Sequence, residues 1–392
     1  MKIDRRNPIH WLLLIGFAVQ ALLGLALRPF SKKQSGTVIL YGHKLNGNLL
    51  ALHQYMKVHS DCGFSPVFLS MDGEYLRALK AQGVSTCHAA GFGAAQLLAR
   101  AGAVVSSHGL HSLGPLLRAY QGAGLKFFDV WHGIPFKGFD AEDFRLQQRF
   151  DETWVASELN RDLYINRFGF DAGKVVATGY ARTDRLVKPQ ESQAGVRARL
   201  GLPASGKLVL FAPTWRQDSA GRSLYPFGCS EDEFLEGLCA LAAAHDAGVV
   251  LRSHMNSGQV TGAGHENLHA LPGTDYPDAE SILLACDILI CDWSSIAFDW
   301  LLLNRPTLFL DVPPPFAKGF SLGPEYRFGP IVKNLPQLLG KLESLLQNPS
   351  QWQGVAGNKP DEIRQAVYGE CADGRAASRC VKRLTTHLKT AN

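Results

Sequence analysis

The chain has 392 residues, enough for two or three domains, and its 46% hydrophobic and 19% charged content excludes a disordered or low-complexity protein. The net charge of +5 is unevenly placed: residues 1–33 carry +5 and the stretch from Gly374 carries another +5, leaving about −5 for the middle, which excludes a basic nucleic-acid-binding core. None of the eight cysteines forms a C-x-x-C pair and no D-x-D motif occurs, so no structural zinc, metal or other cofactor is expected, and the compartment is read as reducing.

The first element is "WLLLIGFAVQALLGLAL", Trp11 to Leu27, a run of 17 residues without a charge. It is at the short limit for a membrane-spanning helix. Basic residues stand on both sides, so the positive-inside rule gives no orientation, and a helix lying in the cytoplasmic interface fits equally. A buried core helix and a signal peptide are the alternatives, the latter weakened by the lack of an A-x-A-like site. We take residues 1–33 as an amino-terminal anchor that meets a membrane surface.

Residues 34–190 form an alternating series. "TVILYG", "PVFLS", "AVVSSHG" and "LKFFDVWHG" read as buried parallel strands. "EYLRALKAQG" and "AAQLLARAG" read as helices closed by glycine. "TWVAS" and "KVVATGY" continue the pattern. Two glycine patterns carry nothing further. "GHKLNGN" lacks the G-K-[ST] of a phosphate loop, and "GFGAAQ" is a broken dinucleotide fingerprint.

The polar stretch "PQESQAGVRARLGLPASGK" predicts a linker. Residues 205–370 form a second series with strands in "LVLFAPTW", "GVVLRSH", "DILICDWS" and "RPTLFLD". A helix is expected from Ser294 to about Asn304, stopping before Pro306. Residues 371–392 form a basic amphipathic helix, expected to pack on the last domain or to touch lipid. The fold class is α/β, two Rossmann-like domains facing across a cleft.

Chemistry is expected at the strand ends, where open α/β sheets place ligands. "WHGIPFKGF" puts His132, Gly133, Ile134, Pro135, Phe136 and Lys137 at one such end. "GYARTD" gives Arg182, "FAPTWR" gives Pro213, Thr214 and Arg216, and "LRSH" gives Arg252, Ser253 and His254. Ser294 and Ser295 open a helix whose free N–H groups and dipole suit a phosphate, with Asp299 on the same face. Cations, imidazoles and a serine-capped helix brought to one cleft suit a diphosphate.

These motifs, "WHGIPFK", "GYARTD", "FAPTWR", "LRSH" and "DWSSIAFDWLLLNRP", stand in the order found in the CDP-glycerol glycerophosphotransferase family of teichoic acid synthesis, which the chain resembles over roughly residues 37–345. The resemblance implies a GT-B fold, a CDP-glycerol or related CDP-polyol donor, a lipid-linked or polymer acceptor, and a peripheral place at the cytoplasmic membrane face. It implies that residues 132–136 contact the donor, with His132 as base. Arg182, Arg252 and His254 would meet phosphate, with His254 the second catalytic residue beside His132; Pro213 and Thr214 would line the nucleotide site, and Ser294 and Ser295 would hold the diphosphate. Asp299 would lie by the ribose or glycerol. Ile134 and Phe136 stand where the family usually has Thr and Leu, and Trp293 where it has Tyr, so the polyol end is expected to be held differently. The chain lacks the long amino-terminal domain of the large polymerases, and its length is nearer to enzymes that add one unit. Alternatives are a GT-B glycosyltransferase using a nucleotide sugar, an epimerase or hydrolase on the same fold, and a non-catalytic membrane-bound assembly partner.

Overall fold

The computed structural model describes residues 3–4, 6–214, 225–252 and 264–389. Two compact units share the chain: one holds residues 1–132, 140–184 and 375–392, the other residues 133–139 and 185–374. The chain passes between them at His132/Gly133, Phe139/Asp140, Asp184/Arg185 and Gly374/Arg375.

The first unit is built on seven parallel strands. They are β1 Gln34–Tyr41, β2 Ser65–Ser70, β3 Thr86–His88, β4 Ala101–Ser106, β5 Lys126–Val130, β6 Glu152–Val155 and β7 Val175–Ala177, in the order β3-β2-β1-β4-β5-β6-β7. The interior strands are nearly continuous runs of Val, Ile, Leu, Phe and Ala, as burial on both faces demands. The short edge strand Thr86–His88 was not expected, because three half-buried residues carry no apolar run. The helix Phe92–Arg100 ends without a glycine cap. Gly102 lies instead inside β4, where a Cβ would strike the Ser35 carbonyl of the neighbouring strand.

The amino-terminal helix runs from Pro8 to Leu27, capped by Asn7, whose side chain accepts from the Ile9 amide at 2.9 Å. One narrow stripe, Phe17, Ala21 and Gly24, is buried against the helix Phe92–Arg100 and its neighbours. Gly24 is needed there, since a Cβ would lie 2.8 Å from the Tyr120 hydroxyl. Tyr120 donates to the Ala21 carbonyl at 2.5 Å and Ser112 to that of Leu14 at 2.7 Å. Arg28 is buried and donates to the carbonyls of Leu98, Ala99, Ala101 and Ala123. It thereby satisfies acceptors left open where the helix Phe92–Arg100 ends. Leu13, Leu14 and Leu25 pack beside that stripe, while the opposite face is apolar and outward: Ile9, Leu12, Ile15 and Leu22 are each more than half exposed.

The closing helix, Ala376–Lys389, packs on the first unit rather than the last. Ala377, Cys380, Val381, Leu384 and Leu388 join the cluster of Val38, Leu40, Leu52 and Phe128. Both oxygens of Asp184 accept from its first amides, Ala376 and Ala377, at 2.8 Å. Glu152 binds Arg383 and His387 from the same helix. Burial alone would raise the Glu152 pKa, but these bonds and one from Trp154 outweigh it and hold the carboxyl at about 2.

The second unit has six parallel strands: β8 Lys207–Ala212, β9 Ala247–Leu251, β10 Leu268–Ala270, β11 Ile288–Cys291, β12 Thr307–Leu310 and β13 Ile331–Val332, in the order β10-β9-β8-β11-β12-β13. The polar stretch expected to be a linker contains the helix Gln193–Arg199. Its Arg197 is buried, paired with Asp287 at 2.6 Å and donating to the Ala285 carbonyl at 2.8 Å, so the segment is a packed part of this unit. All eight cysteines are free thiols.

Candidate active site

In each sheet the strand order reverses once, between β1 and β4 in the first and between β8 and β11 in the second. The crevice beyond such a point is where doubly wound sheets bind ligands.

In the first unit the loops leaving β1, β4 and β5 bring His43, His108 and His132 together. The rings of His108 and His132 stack in parallel, with centroids 4.6 Å apart and 4° between their planes. His43 lies 4.4 Å from His108, and His111 closes the group 5.8 Å from His43. The Tyr41 hydroxyl is 2.6 Å from His111 Nδ1. Burial pulls His111 down to about 4, and burial together with the neighbouring His132 and His43 pulls His108 well below the usual histidine range. His132 is exposed, and its Nδ1 is 3.3 Å from the Ser107 carbonyl. A carbonyl can only accept, so Nδ1 carries the proton and Nε2 the lone pair. Asn48 fixes the approach to His132: its amide donates to the Trp131 carbonyl at 2.7 Å and its oxygen accepts from the Arg182 amide at 3.1 Å. Arg182 itself is buried, with its guanidinium 4.7 Å above the Tyr180 ring. Among the described residues no group of three or more His, Cys, Asp or Glu side chains could hold a metal ion.

Residues 133–139 belong to the second unit. The side chains of Ile134 and Phe136 are buried, Phe136 among Trp293, Phe298, Phe316 and Phe320. Those two positions therefore offer backbone rather than side chains to a ligand. Pro135 is buried as well, and Lys137 is half-buried with its ammonium 5.2 Å from the Phe139 ring. The Phe136 carbonyl accepts from the Ser321 amide at 3.0 Å, and Gly138 donates to the Gly319 carbonyl at 2.6 Å. Gly133 faces the Ser295 hydroxyl, which would sit 3.1 Å from an added Cβ.

At the second switch point Asp292 accepts from the Thr214 amide at 2.7 Å, from the Thr214 hydroxyl and from the Trp293 amide at 2.7 Å. This clamps the ends of β8 and β11 together. Ser294 and Ser295 come next, half-buried, but the helix they open is only Ile296–Leu301, shorter than expected, and Asn304 lies beyond it with φ of 50°. Its dipole is correspondingly small. Asp299 is buried and accepts from the Tyr368 hydroxyl at 3.2 Å, so it has an intramolecular partner. Pro213 is buried beside Thr214. Arg252 donates to the Tyr276 carbonyl at 3.0 Å; burial lowers its pKa, and Glu280 and Asp278 oppose the shift. Arg216, Ser253 and His254 lie outside the described residues.

Sequence reasoning missed Asn48, His43, His108 and Asp292. The first two fall in the discarded "GHKLNGN", and the other two stand within two residues of the ends of apolar strands, a position that was itself the available signal.

Two parallel α/β sheets, each with its polar residues gathered where the strand order reverses, define a GT-B-type fold. The sequence profile of the CDP-glycerol:poly(glycerophosphate) glycerophosphotransferase family matches residues 25–386, and the chain belongs to that family of transferases. It is 27% identical over 289 residues to the teichoic acid glycerol-phosphate transferase of Staphylococcus aureus strain NCTC 8325, a match covering 66% of this chain and 71% of that protein. It is 24% identical over 245 residues to the teichoic acid poly(glycerol phosphate) polymerase of Bacillus subtilis strain 168, covering 56% of this chain but only 32% of that protein. The fold matches that of the wall teichoic acid polymerase TagF with a TM-score of 0.75 at 21% identity, over 96% of this chain and 94% of the other.

Proposed function

We propose that the protein transfers glycerol phosphate from CDP-glycerol to a hydroxyl of a lipid-linked or polymer acceptor in teichoic-acid-type synthesis, releasing CMP. The acceptor oxygen forms a bond to the phosphorus that carries the glycerol. The bond from that phosphorus to the bridging oxygen breaks, and the proton of the hydroxyl goes to Nε2 of His132. The observation that carries this reading is the 3.3 Å approach of His132 Nδ1 to the Ser107 carbonyl, which leaves Nε2 to take the proton.

In the second unit, Pro213, Thr214, Ser294, Ser295, Arg252, Lys137 and the backbone of residues 133–136 hold the nucleotide and its diphosphate. Fixed donors there stabilise the charge that gathers on departing CMP. Arg182 supplies positive charge in the first unit. Arg216, Ser253 and His254 keep the roles that their motifs imply. Asp299, bonded to Tyr368, holds the short helix after the serines. The test is CMP release, monitored by chromatography, with CDP-glycerol, CDP-ribitol and UDP-sugars offered one at a time beside a polyol-phosphate acceptor. Release from CDP-glycerol is expected; turnover of a UDP-sugar in its absence would overturn the assignment.

The protein works at the cytoplasmic face of the membrane as a peripheral enzyme, with its first helix in the interface rather than across the bilayer. The buried stripe Phe17, Ala21 and Gly24 and the bonds of Arg28 support this, because a spanning helix would have to give them up. The exposed Ile9, Leu12, Ile15 and Leu22 and the flanking Arg6, Lys32 and Lys33 suit anionic lipid. Flotation with phosphatidylglycerol vesicles is expected, and it should weaken with salt.

A further inference from the structure

We propose that His108 is a positioning residue for the reaction: by lying flat against His132 it fixes the orientation of that ring and keeps water off one of its faces. This rests on the reading of His132 as the base. Three observations lead to it. The two rings are parallel within 4° at 4.6 Å. A single residue orders both, since the Ser107 hydroxyl is 2.8 Å from His108 Nδ1 while its carbonyl is 3.3 Å from His132 Nδ1. Trp131 packs its ring 4.3 Å from His132, tilted by 36°.

The physical consequence is a bias toward neutral imidazole. An imidazolium gains from contact with water, and a stacked uncharged ring denies it that contact on one side. His108 is itself held neutral at physiological pH by burial, so it adds no charge of its own to the base. Among the described residues, the groups that face this pair include His43 from the loop after β1, His111 from the turn after β4, and the Tyr41 hydroxyl bound to His111. The Lys44–Asp72 ion pair stands next along the loop after β1. An orienting stack of this kind acts on turnover, while donor binding is left to other residues.

The experiment compares His108→Ala with His108→Phe, which keeps a flat ring but no nitrogen. Two readouts are taken: the pH profile of kcat and KM for CDP-glycerol, and the titration of the His132 ring proton by NMR. For His108→Ala, kcat should fall about tenfold with the donor KM changed less than twofold, and the His132 midpoint should move up by about half a pH unit or more. His108→Phe should restore most of both. An unmoved His132 titration in His108→Ala overturns the stacking proposal. A moved titration with unchanged kinetics leaves the stack standing and instead defeats His132 as the base. If His108→Ala does not fold, the His108→Phe profile decides: a ring that stacks must give a near-native midpoint and kcat.

Discussion

The two sheets have the same handed, parallel design and reverse their strand order once each, yet they present different chemistry at that place. Beyond β1, β4 and β5 stand four imidazoles, groups whose charge changes with a single proton. Beyond β8 and β11 stands a carboxylate already committed to two amides and a hydroxyl, with serines next to it in the chain. In the proposed reaction the first arrangement is the one that takes the proton. The second offers fixed dipoles whose charge does not depend on pH near neutrality, which is what binding a nucleotide diphosphate requires. On the proposed function, one scaffold divides base chemistry from anion binding through the loop residues set at its strand ends.

Substitutions can break or sharpen that division. The largest effect is expected for His132→Ala, which should lower kcat by about 10²–10⁴ while thermal protection by CDP-glycerol persists. Equal loss of turnover and protection would break the division. Next comes Glu152→Gln, which tests stability of the first unit away from its switch point. The Glu152 pKa falls from the usual 4.5 to about 2 on folding, so its contribution is present above 4.5 and is lost as pH falls from 4.5 toward 2. The shift corresponds to about 3 kcal/mol at neutral pH. Denaturant titrations should show that loss, with a flatter acid dependence in the variant. Asn48→Ala should cost about 1–3 kcal/mol, since it leaves the Arg182 amide without its acceptor and unties Trp131. It should lower kcat more than donor affinity. Thr214→Val is expected to be the mildest, about 1 kcal/mol or a fivefold weaker donor Kd by calorimetry, with kcat nearly unchanged.

Most of the fold was legible because parallel strands buried on both faces leave long apolar runs, as in "TVILYG" and "LVLFAPTW". The strands look longer in the sequence than they are, since Trp131 and Trp293 continue the apolar pattern into loops. The edge strands Thr86–His88, Leu268–Ala270 and Ile331–Val332 lack any such run. His132 was legible from its place after a strand. Its stacking on His108 was not, because that pairing depends on β4 and β5 lying side by side, while the two histidines are 24 residues apart in sequence. The motif suggests Phe136 and Ile134 as ligand contacts, whereas the aromatic group that buries Phe136 comes from residues 293–320, far along the chain.

The helix Ala376–Lys389 is the last part of the first unit to leave the ribosome, after the entire segment from Arg185 to Gly374. Until it arrives, the apolar seat formed by Val38, Leu40, Leu52 and Phe128 lies open on a nascent chain whose sheet is otherwise complete. The closing helix fills that seat only when it docks, and there Asp184 accepts from its first two amides. A synthetic peptide of residues 375–389, added to a chain that stops at Gly374, should fill the same seat and rescue its solubility.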